Sequence, residues 1–163
     1  MALSAVVKLG GEVLAPPLLG QVAAGIAQAR ADGGALTVVH GGGPQATALS
    51  QRLGLVPNIV GGRRITDGPT LDVMKMVVAG QLNVDLVAAL RAAGVPALGL
   101  HGAGGAIRAR RRPPRVVSGG GPDPVDFGLV GDVEGFDLAL LRSLAAPTSW
   151  RWPVWGAPTA ARS

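Results

Sequence analysis

Two short, β-branched apolar runs that each stop abruptly against glycines constrain this chain most. Ala5–Leu9 (AVVKL) runs into Gly10 and Gly11, and residues 35–40 (ALTVVH) run into Gly41, Gly42 and Gly43. Runs of this length, apolar without strict alternation, are the pattern of buried parallel strands. Between them Pro16 and Pro17 open a stretch that puts Leu18, Val22, Ile26 and Ala29 on one face, and Gly33 and Gly34 close it. Proline at the start and glycine past the end are the punctuation of a helix. Strand, helix and strand in that order make one crossover unit.

The rest of the chain extends this pattern. Residues 44–53 read as a second helix that starts on the glycines, with Pro44 suited to its first turn. Residues 57–65 hold Gly61 and Gly62 between short apolar pieces, as a hairpin does. From Pro69 the period is helical, with Leu71, Met74, Val77, Val78, Leu82, Leu86 and Leu90 before Gly94, a stripe long enough for core and dimer contact together. Residues 97–100 read as a third short buried strand, and residues 107–117 with 125–133 as a hairpin flap. The fold class expected is α/β, a three-layer αβα sandwich on a mainly parallel sheet.

That organisation covers residues 1–144. Residues 145–163 (AAPTSWRWPVWGAPTAARS) carry all three Trp, at 150, 152 and 155, beside three Pro and without helical or strand period. They read either as an irregular tail or as translation in the wrong frame after Leu144. The second reading is preferred, because Asp137 begins a helix that no strand follows.

Composition narrows the function classes. Apolar residues make up 48% and charged residues 15% of the 163, enough for a real core, and the absence of Cys leaves no disulfide framework. The longest apolar runs fall far short of the roughly 20 residues that a bilayer needs, and no basic segment precedes an apolar one at the N-terminus. A soluble cytoplasmic protein, without membrane, is therefore expected. The net charge of +5 resides in residues 108–115 (RARRRPPR), five Arg without an acid, while the remainder balances. One local run with no aromatic residue near it is a poor nucleic-acid surface, and none is expected.

The glycine clusters carry the chemistry. In a parallel sheet both turns lie at the carboxyl edge, where open α/β folds bind ligands. Side-chain-free backbone can approach an anion there, and N–H groups backed by a helix N-terminus can cradle phosphate oxygens. Lys8 adds a positive charge at the same edge. A phosphoryl group in transfer is stabilised mainly by position and electrostatics, which suits such an arrangement. Either cluster by itself serves equally well as a tight strand-to-helix turn, and neither matches GxxxxGK[ST] or GxGxxG. In the run GGRRITD, an Arg held on the hairpin is either a solvated turn residue or a clamp for a carboxylate. His40 ends a strand and reads as locally bonded, and no role rests on His101. Asp67 and Asp72 read as charges facing a helix N-terminus.

VVKLGG, VVHGGGPQ and GGRRITD, in this order and spacing, resemble the amino acid kinase family and within it the acetylglutamate kinases. The similarity continues through MVVAGQLNVDLV and DFGLVGDV to about Leu144. The resemblance implies the N-terminal, substrate-binding lobe of an amino acid kinase-like fold, and phosphorylation of the side-chain carboxylate of N-acetyl-L-glutamate by ATP in arginine biosynthesis, with Mg2+ held through the ATP phosphates. It implies that Lys8 neutralises the moving phosphoryl charge and that Gly10 and Gly11 offer N–H groups to the phosphates. Gly42 and Gly43 would line the joint between substrate and γ-phosphate, and Arg64 would hold the substrate's other carboxylate. It also implies a homodimer through the helix around 69–90. The family's ATP-binding half has no counterpart after Leu144, so the chain by itself is expected to turn over little or nothing. A kinase of a blocked aminoadipate, or a non-catalytic interaction module, are the alternatives.

Overall fold

The second apolar run lies parallel to the first, in register from Ala5 beside Leu36 to Leu9 beside His40. In this computed structural model, which describes residues 5–31 and 36–145, they are β1 (Ala5–Leu9) and β2 (Leu36–His40), and α1 (Leu18–Ala29) makes the crossover. A single-turn 3-10 helix, Gly11–Leu14, follows β1, and α2 (Gly43–Arg52) follows β2, with Pro44 in its first turn.

Val7, Leu9, Leu36 and Val38 face one apolar cluster with Ala23 and Ile26 of α1. Its other wall is a continuous 25-residue helix, Gly68–Ala92. This helix comprises α3 (Gly68–Met74), a π-helical segment (Lys75–Leu82) and α4 (Asn83–Ala92). Its buried positions are Val73, Val77, Leu82, Leu86 and Leu90. The single step of five, from 77 to 82, coincides with the π turn, whose wider winding keeps all five on one side. Gly68–Ala92 is long and apolar enough to cross a bilayer by length and composition. In this fold its apolar stripe is taken up by the core. Each of those buried side chains stabilises by about 1.5–3 kcal/mol relative to exposure.

The opposite face of β1 and β2 is bare. Val6 is 72% and Val39 49% exposed, and Lys8 and Thr37 are exposed with them. The described residues thus give a mixed α/β fold with helices on one face of the parallel pair, two layers where three were expected. The expected third strand is also absent: residues 97–100 join no ladder among the described residues. Their sequence suits a strand, but a strand persists only against a paired neighbour. Here Arg91 Nη1 donates to the Ala97 carbonyl at 3.2 Å instead, and Leu98 and Leu100 are exposed.

The hairpin expected at 57–65 forms from β3 (Ile59–Val60) and β4 (Arg63–Arg64). Gly61 and Gly62 connect them with φ of 55° and 73°, the left-handed pair that a two-residue hairpin turn demands. The flap forms from β5 (Ile107–Arg111) and β6 (Gly131–Phe136), antiparallel, with an isolated bridge between Arg115 and Val125. Its arginines face acids across the hairpin. Arg110 pairs with Glu134 at 3.5 Å, Arg111 with Asp126 at 3.3 Å and Arg112 with Asp132 at 2.7 Å. The basic run is thus largely answered by charges that sequence distance had separated from it. Thr66 stitches flap to hairpin, its N–H donating to the Phe127 carbonyl at 3.0 Å and its carbonyl accepting from Leu129 N–H at 2.7 Å. Helix α5 (Leu138–Ala145) follows β6 as expected; the tail reading for 145–163 otherwise lies outside the described residues.

Candidate functional site

Both glycine turns stand at the carboxyl ends of β1 and β2, and they touch. Gly41 N–H donates to the Leu9 carbonyl at 3.0 Å, closing the strand ends together. A Cβ on Gly11 would sit 2.9 Å from Pro44 Cδ and 3.3 Å from Gly42 Cα, so only glycine allows the two loops to stack. Gln45 Nε2 locks the stack by donating to the Gly11 carbonyl at 2.6 Å. Gly42 in turn rests on the long helix, where a Cβ would meet Leu82 Cδ1 at 2.5 Å and Val78 Cγ2 at 3.0 Å.

The four glycines therefore divide. Gly11 and Gly42 are buried and serve packing, whereas Gly10 and Gly43 are exposed. Nothing lies within 4 Å of a Cβ on Gly43, the first residue of α2. The free N–H groups of that first turn make this the natural seat for an anion. On the other loop the Glu12 carboxylate folds over Gly10, its Oε2 2.6 Å from the Cβ position. One anion of this chain thus already lies against the loop.

Arg64 reaches the same helix from β4. Its Nη2 donates to Thr47 Oγ1 at 2.7 Å, while Nη1 is buried and has no hydrogen-bond partner among the described residues. Thr47 lies four residues after Gly43, about 6 Å along the axis. Arg63, next along the strand, is exposed, as the alternation of a strand requires. Lys8 stands on the bare face of β1, in register with Val39. No hydrogen bond or ion pair among the described residues ties Lys8 to the loops or to Arg64.

The residues set aside from the sequence behave accordingly. His40 Nδ1 donates to the Gly41 carbonyl at 2.9 Å, a local bond, and His101 is exposed beside a 3-10 turn. Asp67 caps α3 by accepting from Thr70 N–H at 2.9 Å, and hydrogen bonding from the Thr70 hydroxyl, with that N–H beside it, holds its carboxyl below its ordinary value. Asp72 pairs with Lys75 at 2.9 Å. Thr47, Gln45 and Glu12 escaped the sequence reading, and Val78 and Leu82 entered it only as members of the helical stripe. Only Gln45 carried a signal, as the last letter of GGGPQ. Among the described residues no three His, Asp or Glu group as metal ligands would. Two surface grooves, of about 270 and 350 Å³, lie along the flap and between the hairpin tip and residues 115–118. The glycine loops are instead an open ledge.

The amino acid kinase family profile matches residues 4–151. The chain is 59% identical over 140 residues to an acetylglutamate kinase of Anaeromyxobacter dehalogenans strain 2CP-C, covering 85% of this chain and 52% of that protein. It is 56% identical over 142 residues to the acetylglutamate kinase of Sorangium cellulosum, covering 86% and 50%. The chain thus spans about half the length of the curated relatives it matches. Among solved structures, an N-acetylglutamate synthase of Neisseria gonorrhoeae, complexed with coenzyme A and N-acetyl-glutamate, superposes with a TM-score of 0.67 at 26% identity, covering 87% of this chain and 31% of that one. Motifs, fold and relatives agree, and the chain belongs to the amino acid kinase family.

Proposed function

We propose that this chain is the acylglutamate-binding part of an acetylglutamate kinase, an ATP-dependent enzyme that phosphorylates the side-chain carboxylate of N-acetyl-L-glutamate in the cytoplasm. The observation that carries the reading is Arg64 Nη1. A buried cationic N–H without an acceptor is costly, and a substrate carboxylate would satisfy it. Relatives at 56–59% identity bear the name acetylglutamate kinase, which favours glutamate over aminoadipate. The Neisseria synthase was solved with the same acylglutamate.

In this reading Arg64 holds the α-carboxylate, and the side-chain carboxylate extends toward Gly42 and Gly43, where the first turn of α2 meets the incoming γ-phosphoryl group. ATP supplies that group, with Mg2+ on its phosphates. The open space at Gly43 fits a phosphate, and so does the Gly10 loop against which a carboxylate already lies. Gly10 and Gly11 offer N–H groups to the phosphates, and Lys8 offsets the charge that spreads over the phosphoryl oxygens. The nucleophile is already an anion, so no general base is required. Turnover is proposed to need the further length that the relatives possess. Dimerisation is proposed through the Gly68–Ala92 helix, whose Met76 and Val84 are exposed.

Calorimetric titration of N-acetyl-L-glutamate into the chain tests the reading. Saturable binding is expected, weakened about tenfold or more in Arg64→Ala, since a hydrogen bond to a charged group contributes about 1.5–3 kcal/mol. Equal binding by both proteins, or none by the native chain, would refute it. Acyl phosphate trapped as hydroxamate from the chain with MgATP would overturn the proposed need for further length. A strict monomer at micromolar concentration would overturn the dimer.

A further inference from the structure

We infer that Thr47 is the positioning residue of the carboxylate clamp: its hydroxyl oxygen holds Arg64 Nη2 so that Nη1 is presented, unpaired, beside the first turn of α2. This rests on the function proposed above and adds a residue to it. The geometry has three parts. Thr47 Oγ1 accepts from Nη2 at 2.7 Å, a short and therefore strong contact for a guanidinium donor. Nη1 is buried with no acceptor among the described residues, so the fork has one prong anchored and one idle. Thr47 also belongs to the same helix as Gly43, four residues along, so the anchor fixes the clamp relative to the helix start rather than to its own hairpin.

A guanidinium is planar, and holding one Nη fixes where the other points. Without the anchor Arg64 would depend on a two-residue strand and a flexible stem. The inner side of α2 is already committed, Ala46 and Ser50 being almost fully buried, which leaves Thr47 on the flank that meets β4. Valine matches threonine in shape but offers no acceptor, and serine retains the acceptor.

The test is calorimetric titration of the full chain and its Thr47→Val and Thr47→Ser variants with two probes. N-acetyl-L-glutamate carries the α-carboxylate, and 4-acetamidobutyrate lacks only that group. Thr47→Val is expected to weaken N-acetyl-L-glutamate about tenfold, the scale of one lost hydrogen bond to a charged group. It leaves 4-acetamidobutyrate unchanged, and Thr47→Ser restores native affinity. A loss of equal size for both probes, or for neither, would overturn the inference while leaving the proposed function standing. A native chain that binds neither probe would refute the proposed function, and guanidinium 15N spectra of the free chain then decide the anchor. Separate Nη1 and Nη2 signals of Arg64 that average in Thr47→Val support it, and signals already averaged in the native chain overturn it.

Discussion

Gly42→Ala offers a direct measure of how tightly the loop at the end of β2 is built onto the long helix. The new methyl would lie 2.5 Å from Leu82 Cδ1 and 3.0 Å from Val78 Cγ2, well inside van der Waals contact. The φ of Gly42, 171°, lies outside the left-handed region, and the penalty that follows from these contacts is the steric one. Leu82 is 4% exposed and has little room to give. Overpacking of this kind costs about 1–3 kcal/mol, and at about 2–4 °C per kcal/mol for a chain of this size the midpoint falls by several degrees. Leu82→Ala by itself leaves a cavity and costs about 2–5 kcal/mol. The double variant places the new methyl into the space vacated, so its cost falls short of the sum by more than about 1 kcal/mol. Urea denaturation of the four proteins reads this coupling. Additivity within about 0.5 kcal/mol, or a Gly42→Ala variant as stable as the native chain, would refute the stacking of Gly42 on the helix.

Three further outcomes are expected. Glu12→Gln removes a carboxylate from the Gly10 loop and tightens inorganic phosphate about threefold to fivefold, from about 1 kcal/mol of like-charge repulsion at 4 Å in water; a 31P titration showing no change would contradict it. Asp67→Ala removes the α3 cap and lowers the melting temperature at neutral pH. Because the folded pKa of Asp67 is depressed, the native chain's advantage is full above the unfolded value, about 3.9. It is lost as pH falls through the lower folded value, and a difference that persists in stronger acid would refute the assignment. Arg112→Ala breaks a pair whose side chains are 17% and 37% exposed, at a cost of about 1–3 kcal/mol, between those of an exposed and a buried pair. Hydrogen exchange should quicken at the backbone N–H of position 112, which in the native chain donates to the Val130 carbonyl at 2.8 Å, and leave α1 unaltered.

The crossover unit, the Gly61-Gly62 hairpin, the long helix and the flap were all legible in the sequence, because each is fixed by local punctuation and period. What was not legible depended on partners. Val6 and Val39 read as buried on both faces, yet an apolar run states only how many faces a strand is built to bury and says nothing about what covers them. Residues 97–100 have the composition of a strand, but a ladder requires a second edge. The π turn escaped because a step of five between Val77 and Leu82 looks, on paper, like a lapse in a helical stripe that also holds Val78.

The site divides along the same line. Glycine is required both where backbone must pack on backbone and where it must approach a ligand, so the clusters at 10–11 and 41–43 could not be sorted by composition. The sorting comes from what an added Cβ would meet: protein atoms at Gly11 and Gly42, open space at Gly43. Arg64 was found because an arginine held on a hairpin can clamp a carboxylate and because GGRRITD resembles the family's motif. Thr47 was not, since a threonine on a helix flank is ordinary until β4 lies alongside it. Its hydroxyl acquires a task only because Nη2 arrives at 2.7 Å while Nη1 is left without an acceptor among the described residues. A residue that acts through another becomes visible only when the fold brings the two together, and substitutions at Thr47 and Arg64 should therefore couple in binding, with Thr47→Val costing nothing further once Arg64 is Ala.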